Sequence, residues 1–169
     1  MTRAAPPLLG AGVAIALIVA SLPERAPRFL WNASASLPIG LYALTPPGAL
    51  ELGDLVAVRL PPDRADWAAS RRYLGRSALL LKRVAAMPGA VICRSGGAIL
   101  IDGVAVATVV VADSHGRPMP IWRGCRRLGV GQVFLLLAEI PNSLDGRYLG
   151  PTGIATIVAC ARPIWTRGG

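Results

Sequence analysis

The chain of 169 residues has room for one domain and a short appendage, and 18 Lys+Arg against 9 Asp+Glu give it a formal charge of +9. Its basic residues are scattered and form no dense tract or helix stripe, which argues against nucleic acid as a partner and suits the surface of an anionic membrane. One histidine, His115, and three cysteines without any C-x-x-C spacing offer no metal centre, and neither metal nor other cofactor is expected.

From Pro7 to Pro23 the chain is apolar, with no charge between Ala4 and Glu24, and is about long enough to cross a bilayer. It predicts a single N-terminal transmembrane helix within an anchor of residues 1–27. A cleaved secretory signal is the alternative, with Arg3 as its basic start and small residues near Ala20 as its cleavage site. The run exceeds a usual signal core and stops at Pro23, which favours a retained anchor. The flanking charges do not settle orientation, but either reading puts the rest of the chain outside the cytoplasm.

Arg25–Asn32 reads as a linker, and residues 28–169 as one mostly β domain of short antiparallel strands with one short helix. Asp54–Leu60 is a strand entered through Gly53-Asp54 and stopped by Pro61-Pro62. Asp63–Leu74 is the helix, capped by Asp63, with Trp67, Ser70 and Leu74 near one face. A strand through Lys82 ends at the Pro88-Gly89 turn, and Ala90–Cys93, Ala98–Ile101 and Val104–Val111 follow as a meander. Ala112–Leu128 reads as loop, while Val133–Ala138 and Ile154–Ala159 complete the strands. Cys93 and Cys125 border loops and are the preferred disulfide, buried free thiols being the alternative.

Lys82 is the only lysine beside seventeen arginines. In an extended segment Leu80, Lys82 and Val84 share one face, so hydrocarbon flanks the amine. Lysine, unlike arginine, becomes neutral on burial, and a desolvated amine is a general base near neutral pH. The plainer alternative is a surface lysine reaching for water. A lysine base needs a nucleophile, and Ser34 and Ser36, just beyond the anchor, are the candidates.

Four blocks in order resemble the serine-lysine signal peptidases, most closely their conjugal-transfer, TraF-like branch: Ser-x-Pro-x-Gly-Leu-Tyr at 36–42, Gly-Asp-x-Val at 53–56, Lys-Arg-Val-x-x-Met-Pro-Gly at 82–89 and Ser-x-Asp-x-Arg-Tyr-x-Gly at 143–150. The resemblance implies a signal-peptidase-like β domain in which Ser36 is the nucleophile and Lys82 its base. Ser34 then helps to hold the oxyanion, Ser143 orients the lysine, and Asp145 and Arg147 support them as an ion pair. Ser36 stands two residues before Pro38, where housekeeping leader peptidases have three, which favours the transfer branch and leaves Ser34 as a second candidate nucleophile.

The function so implied is a membrane-anchored serine endopeptidase of the bacterial inner membrane, its domain facing the periplasm. It would remove the leader of an exported precursor, pilin-like and membrane-embedded, for a conjugation or type IV secretion apparatus, and possible cyclisation of the product stays open. The alternatives are a general signal peptidase of broad range and a catalytically inactive anchored β module. Ser36, thirteen residues past Pro23, lies at most roughly 45 Å from the membrane exit, which puts cleavage near lipid.

Overall fold

Apolar residues alternating or running together over four to ten positions, punctuated by Gly and Pro, build a chain of mostly short strands. A computed structural model of the protein describes residues 27–167. The expected anchor at 7–23 lies outside them, and among the described residues no helix is long and apolar enough to cross a membrane.

The strands are β1 (Phe29–Asn32), β2 (Gly40–Thr45), β3 (Leu55–Arg59), β4 (Leu79–Ala86), β5 (Val91–Ser95), β6 (Ala98–Ile101), β7 (Val104–Thr108), β8 (Gly124–Arg127), β9 (Gln132–Leu136), β10 (Thr152–Gly153) and β11 (Ile157–Thr166). They form two antiparallel sheets. The large one has the order β1-β2-β11-β3-β4-β9-β10, and the small one β7-β6-β5-β8. Among the described residues two helices accompany them, α1 (Pro62–Ser70) and the single turn α2 (Gly146–Leu149).

Period-two alternation decides what each face meets. Val56, Val84, Val133 and Leu135 pack together on one side of the large sheet, and Tyr42, Ala57, Leu81 and Ala161 on the other. Phe134 and Leu136, pointing opposite to Val133 and Leu135, join Ile92, Ile99 and Trp122 in a further core shared with the small sheet. Strand β9 therefore ties the two sheets together.

Several elements differ from the sequence reading. The helix begins at Pro62, with Pro61 as its cap residue and no side-chain cap, so Asp63 sits in the first turn instead of capping. It ends at Ser70, just before Arg72 takes a left-handed φ of 58°, and it buries Ala65 and Ala68 while Ser70 is exposed. The supposed linker holds β1, which pairs with β2 from Phe29↔Ala43 to Asn32↔Gly40. The supposed loop at 112–128 holds β8, whose four residues are all exposed. Strand β7 stops at Thr108, short of Val111. Residues 154–156 form a 3-10 turn, and β11 continues past Ala159 to Thr166. Pro163 is tolerated there because β11 pairs with β3 only as far as Cys160 and beyond it with β2 alone, next to a bulge. Cys93 and Cys125 lie directly opposite on β5 and β8 and form the preferred disulfide, which leaves Cys160 free.

Candidate active site

The segment between β1 and β2 is shaped by one side chain. Asn32, last in β1 and buried, accepts hydrogen bonds from the amide and hydroxyl of Ser34 at 3.1 and 2.8 Å, an Asx turn. Its amide group donates to the carbonyls of Ser34, Leu37 and Pro38 at 3.0 to 3.2 Å. The buried Tyr42 hydroxyl donates to the Pro38 carbonyl at 2.8 Å. Gly40 is required because a Cβ there would stand 2.1 Å from the Trp165 carbonyl oxygen; close approach of β11, not turn geometry, explains it. The motif around Ser36 is thus largely a device for holding a loop that carries two serines.

Ser36 lies at the turn of that loop, partly exposed, on a groove of about 530 Å³ flanked by Arg83, Glu139, Ile140 and Arg167. Its Oγ is 3.0 Å from Ser34 Oγ. Since the Ser34 hydroxyl proton is committed to Asn32, the hydrogen bond between the serines runs from Ser36 to Ser34.

Lys82 rises toward Ser36 from β4. On its strand it pairs with Val56 of β3, and only 3% of the residue is exposed. Its Nζ donates to Ser36 Oγ at 3.4 Å. Burial lowers the amine's pKa from 10.5 to about 8; Asp145 opposes the fall and Arg147 adds to it. The lysine is therefore neither on the surface nor reaching for water.

Asp145 and Arg147 form a fully buried ion pair, Nε to Oδ1 at 2.8 Å. Its charges are well matched by hydrogen bonds. Nη2 donates to Asp145 Oδ2 and to the Leu137 carbonyl, Nη1 to the carbonyls of Thr108 and Pro141, so all five guanidinium N–H groups have partners. The carboxylate also accepts from the amides of Leu137 and Arg147, the latter capping α2. Gly146 completes this turn because a Cβ there would meet Phe134 at 2.6 Å and the Leu135 carbonyl at 2.7 Å. Lys82 and Asp145 also line one cavity of about 160 Å³, walled by Val58, Leu80, Leu135 and Leu149.

Of the residues expected from sequence, Ser36, Lys82 and Ser34 come together as one hydrogen-bonded chain, and Asp145 and Arg147 stand beside the amine in electrostatic reach. Ser143 is buried, but its Oγ has no hydrogen-bond partner among the described residues and is not bonded to Lys82. Asn32 and Tyr42 were missed. The Asn-x-Ser spacing is the signal for the first, since it favours an Asx turn.

The arrangement has what an acyl transfer needs: a hydroxyl on an open groove, an amine neutral in a large fraction near pH 8, and a second hydroxyl next to the first. The family model described as signal peptidase, peptidase S26, matches residues 1–166. The plasmid transfer protein TraF of Escherichia coli is 29% identical over 146 residues, covering 80% of this chain and 81% of the relative. The conjugal transfer protein TraF of Agrobacterium fabrum strain C58 is 35% identical over 149 residues, again 80% and 81% of the two chains. A signal peptidase I from Enterococcus faecalis V583, 18% identical, superposes with a TM-score of 0.39 over 67% of this chain and 97% of its own.

Proposed function

The chain belongs to the signal peptidase family, peptidase S26, and on that footing we propose that it is a membrane-anchored serine endopeptidase that cuts the leader from an exported precursor with Ser36 and Lys82. The observation that carries the proposal is the 3.4 Å contact between a buried amine, its pKa lowered by burial to about 8, and a serine hydroxyl on an open groove. We take Ser34 as the helper and Ser36 as the nucleophile because Ser34 bonds to Asn32 and Ser36 while it is Ser36 that receives the Lys82 bond.

The steps balance simply. Neutral Lys82 takes the hydroxyl proton of Ser36 as its Oγ adds to the scissile carbonyl. Ser34 turns its hydroxyl from Asn32 to the developing oxyanion. The C–N bond then breaks, and the Lys82 ammonium gives its proton to the leaving amine. The mature chain leaves with that new amino group, and the leader stays on Ser36 as an acyl ester. A water molecule, deprotonated by Lys82, attacks this acyl-serine, and the proton returns to Ser36 Oγ as the leader leaves. For cyclisation, a cut near the C-terminus of the subunit would leave the subunit's own carbonyl on Ser36, and its N-terminal amine, attacking in place of water, would close the ring.

A β-strand edge supports a polypeptide substrate. Strand β4 pairs with β3 from Leu79 to Arg83 but with β9 only from Arg83 onward, which leaves the backbone from Leu79 to Lys82 without a strand partner on that side. Two further features support action at a bilayer. The uncharged run at 7–23 ends four residues before the first described residue, and exposed Phe29, Trp31, Ile164 and Trp165 gather on β1 and β11 beside Arg28, Arg162 and Arg167.

The names of the TraF relatives point to a precursor of a conjugal transfer apparatus, and a pilin subunit facing the periplasm is our proposed substrate. Intact-mass measurement of a co-expressed pilin precursor tests this: loss of a leader with the wild-type chain and not with Ser36→Ala is expected. Loss of a C-terminal segment as well, in a product one water lighter than the linear trimmed chain, would reveal cyclisation. Processing that survives both Ser36→Ala and Lys82→Arg would refute the dyad.

A further inference from the structure

One buried cation of the small sheet bonds to the turn that stands beside Lys82. Arg94 on β5 is 8% exposed, and its Nη1 donates to the Arg147 carbonyl at 2.8 Å and to the Pro120 carbonyl at 3.1 Å. Among the described residues it forms no ion pair. The Arg147 carbonyl belongs to α2, the turn whose start holds Asp145 beside Lys82. Other bonds from the same side converge on this turn: Trp122 Nε1 donates to the Gly146 carbonyl at 3.0 Å, the Val110 amide to the Tyr148 hydroxyl at 3.2 Å, and Arg147 Nη1 to the Thr108 carbonyl at the end of β7. The Cys93–Cys125 disulfide fixes β5 to β8 one residue from Arg94.

We propose that Arg94 is a positioning residue for the dyad, holding the Asp145–Arg147 turn from the small sheet so that it closes over Lys82. The argument is one of unpaired groups. Without Arg94 the buried Arg147 carbonyl loses its donor, and the turn must move or admit water to satisfy it. Either change hydrates the region around the amine. The charges acting on Lys82 are Asp145 and Arg147 from the turn; Asp63 and Arg64 of α1 and Arg59 of β3 line the cavity it shares, while Arg83 and, by alternation along β3, the Arg59 side chain point to the opposite face. Arg147 and Arg123 are the cations near Arg94 itself, with Tyr148 as its titratable neighbour. Burial is the largest influence on Lys82, so hydration moves its proton affinity up.

This inference rests on the peptidase reading, but its first test does not use a substrate. Because Lys82 is the only lysine, full-length protein in detergent grown with 13C-lysine gives one side-chain resonance, and its shift against pH reports the amine directly. Arg94→Met is expected to raise the midpoint by about one pH unit, cutting the neutral fraction at pH 7 roughly tenfold. Arg94→Gln, which keeps one amide donor, should shift it less. The rising limb of kcat against pH should move by the same amount, with KM nearly unchanged. A folded Arg94→Met protein whose Lys82 titrates like the wild type overturns the proposal, and so does failure of both variants to fold, which would make Arg94 a support of the fold as a whole. A shifted lysine in a protein that cleaves no precursor would sink the peptidase reading and leave the positioning role standing.

Discussion

Lys82 Nζ stands 3.4 Å from Ser36 Oγ although 46 residues separate the two in sequence, and nearly all of the lysine is shielded from water. The pairing puts the amine on a central strand and the hydroxyl on a loop braced by Asn32 and Tyr42. Motion needed for chemistry is thereby confined to the two serine hydroxyls.

With the amine's pKa at about 8, roughly one lysine in ten is neutral at pH 7 and about half at pH 8. Single-turnover cleavage should rise about tenfold for each pH unit below 7, then level off above about 9. Lys82→Arg, which cannot lose its proton, should lower kcat by roughly 10² to 10⁴. A wild-type rate that is flat from pH 6 to 9, with chemistry limiting, contradicts the role given to Lys82.

The same burial makes Lys82 costly to the fold. Its folded pKa lies below the unfolded value of 10.5, so the unfolded chain binds more protons between about 8 and 10.5, and stability rises with pH across that window. Below about 8 the folded state bears the whole cost, on the order of 3 kcal/mol for a shift of about 2.5 units. Lys82→Met should therefore stabilise the protein at pH 7, with the advantage shrinking toward pH 10.5. Urea titrations of both proteins at pH 7 and 10 measure it; an equal difference at the two pH values would show that the cost of charge is absent.

Parts of this site were legible in the sequence because their signals are local. The apolar run around Lys82, closed by Pro88-Gly89, reads as a strand with a buried amine, and the four ordered blocks bring out Ser36, Asp145 and Arg147. Strand β1 was not legible, because Phe29 and Trp31 are exposed and only pairing with β2 makes the segment extended. Strand β8 has no apolar alternation at all and is held by β5 and the disulfide. The helix was overextended since nothing in Arg71-Arg72 announces the left-handed φ that ends it. Arg94 and Trp122 were silent for the same reason: their roles depend on carbonyls more than twenty residues away.

Ser34 offers a sharper test of geometry than of identity. Its hydroxyl now serves Asn32 and must turn to reach an oxyanion, so Ser34→Ala should lower kcat by about 10² to 10³ and leave KM nearly unchanged. Ser34→Thr, which retains the hydroxyl, should recover most of the loss. Equal defects in the two variants would mean that Ser34 serves the loop and not the transition state.

Trp31 and Trp165 stack with centroids 5.9 Å apart, yet both are about half exposed. They flank Leu41 across three neighbouring strands, and exposed Phe29 and Ile164 lie close by in the same strands. An aromatic and apolar cluster beside exposed arginines, a few residues after the uncharged run at 7–23, fits the headgroup layer of an anionic bilayer better than open water. Full-length protein in vesicles containing brominated anionic lipid should show quenched tryptophan fluorescence, and Trp31→Ser with Trp165→Ser should abolish most of it. Burying even half of each indole, on the order of 100 Å² of apolar surface, contributes about 2 kcal/mol per ring. The double variant should thus cleave a membrane-embedded precursor at least tenfold more slowly while cutting a short soluble peptide at the wild-type rate. Equal losses on both substrates would place the two tryptophans in the stability of β1 and β11, with no part in reaching lipid.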